Sequence, residues 1–228
     1  MDIKISGAGQ IPAGEFEHIK ISGSGSCDGA VKCISLHASG AVHCHDSVYC
    51  TESFHTSGAG HVRGSVTAQV IEGSGALSIN GNCTARQKLI AKGAFTVHGE
   101  IEAEDADIRG VIDCDGLLNA ERLYMDLERR SNIQAIGGSS IEIVARRTER
   151  VSFSWFRRKH ITVDSTVPTV LVVRESIEGD TVTIEGVRCN TVVGRNVVVG
   201  EGCKIDSVRY SESIEIAEDA IVKHCEKV

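Results

Sequence analysis

Apolar and polar residues alternate along most of this chain, and the alternation itself repeats with a long period. A recurrent glycine marks it: Gly7, Gly23, Gly40, Gly58, Gly75, Gly93 and Gly110 are spaced by 16, 17, 18, 17, 18 and 17 residues. Four residues after each stand Ile11, Cys27, Cys44, Val62, Ile79, Val97 and Cys114. Eight after, from the second marker on, stand Val31, Val48, Val66, Cys83, Ile101 and Leu118. Ten after stand Cys33, Cys50, Ala68, Ala85, Ala103 and Ala120. Four before, again from the second marker, come Ile19, Leu36, Phe54, Ile71, Leu89 and Ala106. The positions between these columns are mostly polar or charged. Alternation at period two places one face of a strand inward. One coil of about seventeen residues cannot bury its own apolar face, so coils must stack. The pattern predicts an all-β chain, a parallel β-helix (β-solenoid) with three short strands per coil and glycine at the corners, where positive φ is tolerated.

The marker spacing stops after Gly110. Alternation continues through Leu123–Leu127 and Ile141–Val144, and then residues 145–160 break it with six basic residues, one acid and the only tryptophan. Alternation resumes at Ile161–Val163 and Val170–Val173, and Thr181–Gly186, Asn196–Gly202 and Ser213–Asp219 align as a second set of coils. The expected organisation is glycine-marked coils over 1–127, a transition with a basic, aromatic linker or insertion over 128–168, and further coils over 169–228. Whether the second set continues the first stack or forms another is open at this level.

Composition narrows the picture. Aromatics are 4% of residues against 24 glycines and 2 prolines, which suits a narrow core lined by aliphatic residues, alanine and cysteine. The net charge of −7 lacks the basic footprint of a nucleic-acid binder, so nucleic acid is not an expected partner. No apolar run reaches the roughly eighteen residues of a membrane span, and Met1–Ile5 is too short and polar for a secretory signal. The expectation is a cytoplasmic chain with reduced thiols.

Ile3-Lys-Ile-Ser-Gly-Ala-Gly9, Ile19-Lys-Ile-Ser-Gly-Ser-Gly25 and His55-Thr-Ser-Gly-Ala-Gly60 resemble the serial coils of bactofilins from Bacillus-like bacteria. Gly116–Ala120, Ala135–Gly138, Ile177–Asp180, Val193–Asn196 and Gly202–Asp206 resemble the second half of the same group. The resemblance implies a right-handed β-helix, end-to-end polymerisation without nucleotide, and a cytoskeletal scaffold role in shape, motility or envelope-associated assembly. It implies the chain itself as partner, with a membrane surface or envelope and motility proteins as further ones. The coils here carry more cysteine and histidine than the lysine-rich repeats of that family.

The candidate chemistry is sparse. Cys27, Cys44 and Cys114 share a column with isoleucine and valine, and Cys33 and Cys50 share one with alanine, so they read as core residues. Stacking brings Cys33 and Cys50 within disulfide range. His43 and His61 share an outward column, as do His37 and His55, a pattern able to bind a transition metal. Alternation sends Cys44 inward and His43 outward, so the reading is surface histidines, with no metal and no cofactor. Val193-Gly-Arg-Asn-Val-Val-Val-Gly200 matches the repeat of hexapeptide acyltransferases for only two turns. The acidic run Glu102, Glu104, Asp105 and Asp107 reads as a solvated face rather than a calcium site. With no nucleophile elbow or phosphate-binding loop, the chain is not expected to be an enzyme. A non-polymerising adaptor is the main alternative and an acyltransferase the lesser one. Two features remain as contact candidates. Ile3, Ile5, Ile11, Phe16 and Ile19 at one end and Ile214, Ile216 and Val222 at the other would form self-assembly surfaces. Phe153, Trp155 and Phe156 beside Arg157, Arg158 and Lys159 suit an anionic membrane surface or a partner.

Overall fold

The computed structural model describes residues 1–145 and 168–228, together with the backbone of Arg150–Val151 and Val163–Asp164. Every regular element among them is a strand, and the strands wind into a parallel β-solenoid of about 12 coils. Residues one coil apart pair in register, as Ile3 with Ile19, Ile19 with Leu36 and Leu36 with Phe54.

The four inward columns read from the sequence line a single core with three walls. Ile19, Leu36, Phe54, Ile71 and Leu89 on one wall are fully buried, as are Cys27, Cys44, Val62, Ile79 and Val97 on the second. The third wall carries Val31, Val48, Val66, Cys83 and Ile101, with the smaller Cys33, Cys50, Ala68 and Ala85 beside them. Small residues there let the corner close tightly. The same inner column narrows to glycine further on: Gly138 pairs with Gly179, and Gly179 with Gly194.

The second set of coils continues the first stack. The strand Ser131–Ala145 pairs in parallel with Leu171–Ile184, placing Ile133 against Val173 and Ile141 against Val182. The column through Cys114 therefore runs on without a break through Ile133, Val173, Cys189, Ile205 and Val222. The coils on either side of residues 146–167 therefore belong to one solenoid. Where they meet, Gly186 sits at φ +61, and a Cβ there would lie 2.6 Å from the Pro168 carbonyl oxygen and 2.7 Å from Ala145 Cβ. Arg150–Val151 pairs antiparallel with Val163–Asp164.

Two features differ from the simple repeat. Short strands of the expected kind occur only in the first coils, such as Ile3–Ile5, Ala8–Ile11 and Ser24–Cys27. From Val66 onward the extended backbone runs through corners, and Ile101–Leu127 is one element of 27 residues. The marker glycines also serve a different purpose from the one expected. Only Gly75, Gly93 and Gly110 of that column have positive φ (116°, 110° and 118°). All of them but Gly7 share another constraint. A Cβ on Gly23, Gly40, Gly58, Gly75, Gly93 or Gly110 would lie 2.0–2.4 Å from the carbonyl oxygen of the marker glycine one coil below. The corner is a backbone-on-backbone stack. The column ends at Gly110, whose carbonyl accepts the amide of Glu128 at 3.1 Å.

A second corner is held by a polar ladder. Ser65 N–H donates to Ser47 Oγ at 3.1 Å, Asn82 N–H to Ser65 Oγ at 3.0 Å, and Glu100 N–H to Asn82 Oδ1 at 3.1 Å. Each side chain takes up an amide that the turn leaves without a strand partner.

Candidate self-assembly surfaces

A β-solenoid pairs its strands above and below, so the first and last coils of residues 1–228 differ from the rest. Among the described residues, Ile3–Ile5, Ala8–Ile11 and Gly14–Glu15 pair only with the second coil. Likewise among the described residues, Ile221–Lys227 pairs only with Lys204–Tyr210, and Ser213–Ile216 only with Asn196–Val199. Each set leaves one edge of backbone amides and carbonyls open.

The structure divides the eight candidate residues. Ile3, Ile5, Phe16, Ile214 and Val222 are half-buried and pack on the core with one side uncovered. Ile216 is 44% exposed. Ile11 and Ile19 are fully buried, Ile19 because it lies in the second coil under Ile3, so these two support the surface rather than form it. Sequence reasoning passed over Ile221, 53% exposed on the last coil, and Cys225, exposed in the column of Val208. The signal for Cys225 was its place seventeen residues after Val208.

The two end coils are congruent. In the first, Ile3 precedes Ile11 by eight residues and Ile11 precedes Gly14 by three; in the last, Ile214, Val222 and Cys225 have the same offsets. Between Ile3 and Ile5 the outward residue is Lys4, and between Ile214 and Ile216 it is Glu215, both exposed. Nearby charges are tied locally. The Met1 amino group lies 3.0 Å from Glu17, and Lys32 lies 3.4 Å from Glu15. Lys223 lies 2.7 Å from Asp206 and, by that hydrogen bond, holds its carboxyl below the usual aspartate range. Arg195 and Asn196 do the same for Glu212.

The histidines stack as their columns require. The His43 and His61 rings lie 4.9 Å apart at 18°, and His37 and His55 lie 5.4 Å apart at 30°. His45 meets His43 edge-on at 4.5 Å. Partial desolvation, then the neighbouring imidazoles, lower the pKa of His43; desolvation and His55 do so for His37. Cys44 points inward, away from His43. Among the described residues no group of three or more histidines, cysteines or acids is placed to hold a metal ion. In the acidic run, Arg122 bonds Asp105 and, at 3.2 Å, Glu104, while Arg109 grips Asp107 through Nε at 2.8 Å, so these carboxylates are engaged in surface ion pairs. Phe153, Trp155, Phe156, Arg157, Arg158 and Lys159 lie outside the described residues. Among those described, no helix is long and apolar enough to cross a membrane.

No family model matches the chain, and no solved structure matches it significantly. It is similar to two curated proteins of Bacillus subtilis (strain 168). One is "Uncharacterized protein YhbF", 29% identical over 114 residues, covering 50% of this chain and 42% of that protein. The other is "Uncharacterized protein YhbE", 28% identical over 97 residues, covering 42% of this chain and 36% of that protein. The chain thus aligns with less than half the length of these relatives.

Proposed function

We propose that this solenoid is a structural scaffold of the bactofilin kind, not an enzyme, and that copies stack end to end without nucleotide. The observation that carries the reading is the congruence of the two end coils. Placing the first coil of one copy on the last coil of another continues all three columns in register. Ile3 then covers Ile214, Ile5 covers Ile216, the column that begins at the buried Ile11 runs on from Val222, and Lys4 lies beside Glu215. The parallel hydrogen-bond ladder continues across the junction and the half-buried apolar residues on both sides become buried. A contact between different ends propagates into an open filament. Joining like ends would set the strands antiparallel and lose this register.

Ile216→Lys and Ile5→Asp place a charge in that junction while leaving the interior coils untouched. Both variants should fold with wild-type far-ultraviolet dichroism and sediment as monomers at concentrations where the parent assembles. Glu215→Lys should weaken assembly, and adding Lys4→Glu should restore it. Assembly undiminished in Ile216→Lys and Ile5→Asp together would remove these ends as the interface. A parent chain that is monomeric at every concentration would favour the adaptor reading instead.

A further inference from the structure

The second and third coils hold four of the nine cysteines, and these fall into two register pairs, Cys27 with Cys44 and Cys33 with Cys50. Elsewhere buried cysteines face other residue types across the ladder: Cys83 lies between Val66 and Ile101, and Cys189 between Val173 and Ile205. Packing alone therefore does not require cysteine beside cysteine. The Sγ atoms of Cys33 and Cys50 are 3.5 Å apart, in direct contact. Neighbouring parallel strands lie about 4.8 Å apart, inside the Cα range of roughly 4.4–6.8 Å that a disulfide spans. Side-chain rotation and a small local adjustment would bring the sulfurs to bonding distance.

The pair is buried, yet it lies under the thinnest part of the fold. The strand below Val31–Lys32 is Gly14–Glu15, two residues long. Phe16 follows it, half-buried, with its amide on the Lys32 carbonyl at 2.9 Å. Short strands paired on one side open locally at low cost, and opening here uncovers Cys33 before any other core thiol of the third wall.

We propose that Cys33 and Cys50 form a redox couple, which a peroxide converts to a disulfide that staples the second coil to the third. The deprotonated Cys33 sulfur attacks one peroxide oxygen; the O–O bond breaks, and with a proton the second oxygen leaves as water. Cys33 is then a sulfenic acid. The Cys50 sulfur attacks the Cys33 sulfur, an S–S bond forms, and the hydroxyl leaves with the Cys50 proton as a second water. Two thiols and one peroxide become one disulfide and two waters. Opening of the short strand against Val31–Lys32 favours this order, because it reaches Cys33 first. Either sulfur can donate the S–H···S contact; with Cys50 as donor it lowers the pKa of Cys33 and raises that of Cys50. A dithiol reductant reverses the step. The staple fixes the coils on which the first coil rests.

The test is to treat the folded, reduced full chain with hydrogen peroxide, unfold it, block free thiols with N-ethylmaleimide, and digest with trypsin and chymotrypsin. Cleavage after Lys32, Leu36, Tyr49 and Phe54 separates Cys33, Cys44 and Cys50 onto different peptides. The expected result is a Cys33–Cys50 linked pair, lighter by two hydrogens than the two thiol peptides and abolished by dithiothreitol. The oxidised chain should melt several degrees higher than the reduced one. Cys33→Ala, which matches Ala68 and Ala85 in the same column, should fold, form no link and show no rise. Cys33 and Cys50 both recovered as maleimide adducts, a link found at Cys27–Cys44 instead, or a Cys33–Cys50 link without a rise in melting temperature would each overturn the proposal.

Discussion

Gly75→Ala tests the physical basis of the stack. The added Cβ would lie 2.4 Å from the Gly58 carbonyl oxygen, roughly 1 Å inside ordinary contact, and both partners are backbone, so no flexible side chain can yield. Relieving the overlap means separating two hydrogen-bonded coils, an overpacking cost of about 1–3 kcal/mol. Alanine must also adopt φ +116°, which adds about 1–3 kcal/mol of backbone strain. The sum, about 2–6 kcal/mol, corresponds to a fall in melting temperature of roughly 5–20 °C for a chain of this size. The molecule supplies its own control. Gly7 belongs to the same column, but a Cβ there meets nothing within 4 Å because no coil lies beneath it. Gly7→Ala should change stability by less than about 0.5 kcal/mol. Thermal melts followed by far-ultraviolet dichroism, with both variants held monomeric by Ile216→Lys, give the comparison. If Gly75→Ala and Gly7→Ala melt within about 1 °C of each other, the backbone-on-backbone corner is not what the glycines serve.

Three further outcomes follow from single groups. Thr56 Oγ1 is buried without a hydrogen-bond partner, so Thr56→Val, which keeps the shape, should leave stability unchanged or raise it by about 1 kcal/mol in urea unfolding. His37 and His43 have lowered pKa values, so the unfolded chain binds their protons first as pH falls. Stability should therefore be complete above the ordinary histidine value near 6.5, decline as pH drops from there toward the lowered folded values, and level off below them. Melting temperatures from pH 7.5 to 5 should show that slope, and His37→Gln with His43→Gln should flatten it; an unchanged slope would assign it to other groups. Under reducing conditions only Cys225 is exposed, while burial pushes Cys83 up to about 12 and Cys114, Cys189 and Cys203 up to about 11. A brief maleimide treatment should add one label to the native chain by intact mass, with Cys33 the next thiol to react on longer exposure, and nine after unfolding.

Much of this architecture was legible because like stacks on like. A column such as Ile79, Val97 and Cys114 repeats at nearly constant spacing, and the same spacing is the circumference of the coil. What the sequence concealed was set by features that change the spacing or involve backbone alone. Gly138 and Gly179 lie 41 positions apart in sequence, although the two are direct neighbours in the ladder, so periodicity could not join the two halves. The carbonyl stacking that excludes a Cβ at Gly23 or Gly58 leaves no trace beyond glycine itself, which reads equally well as a turn. The Ser47, Ser65 and Asn82 ladder looks like ordinary polar surface until the amides it accepts are placed. At the ends, alternation pointed to Ile3, Ile5 and Ile214, which pack on the core with one side uncovered, but it could not separate Ile11 and Ile19, which are covered, from neighbours that are not.

On the proposed reading, the open edges of the two end coils join copies into a polymer. Negative-stain electron microscopy of the reduced, nucleotide-free chain across a concentration series would reveal that polymer. Filaments or ribbons that lengthen with concentration and are lost in Ile216→Lys are the predicted result. Uniform single particles at every concentration would contradict it.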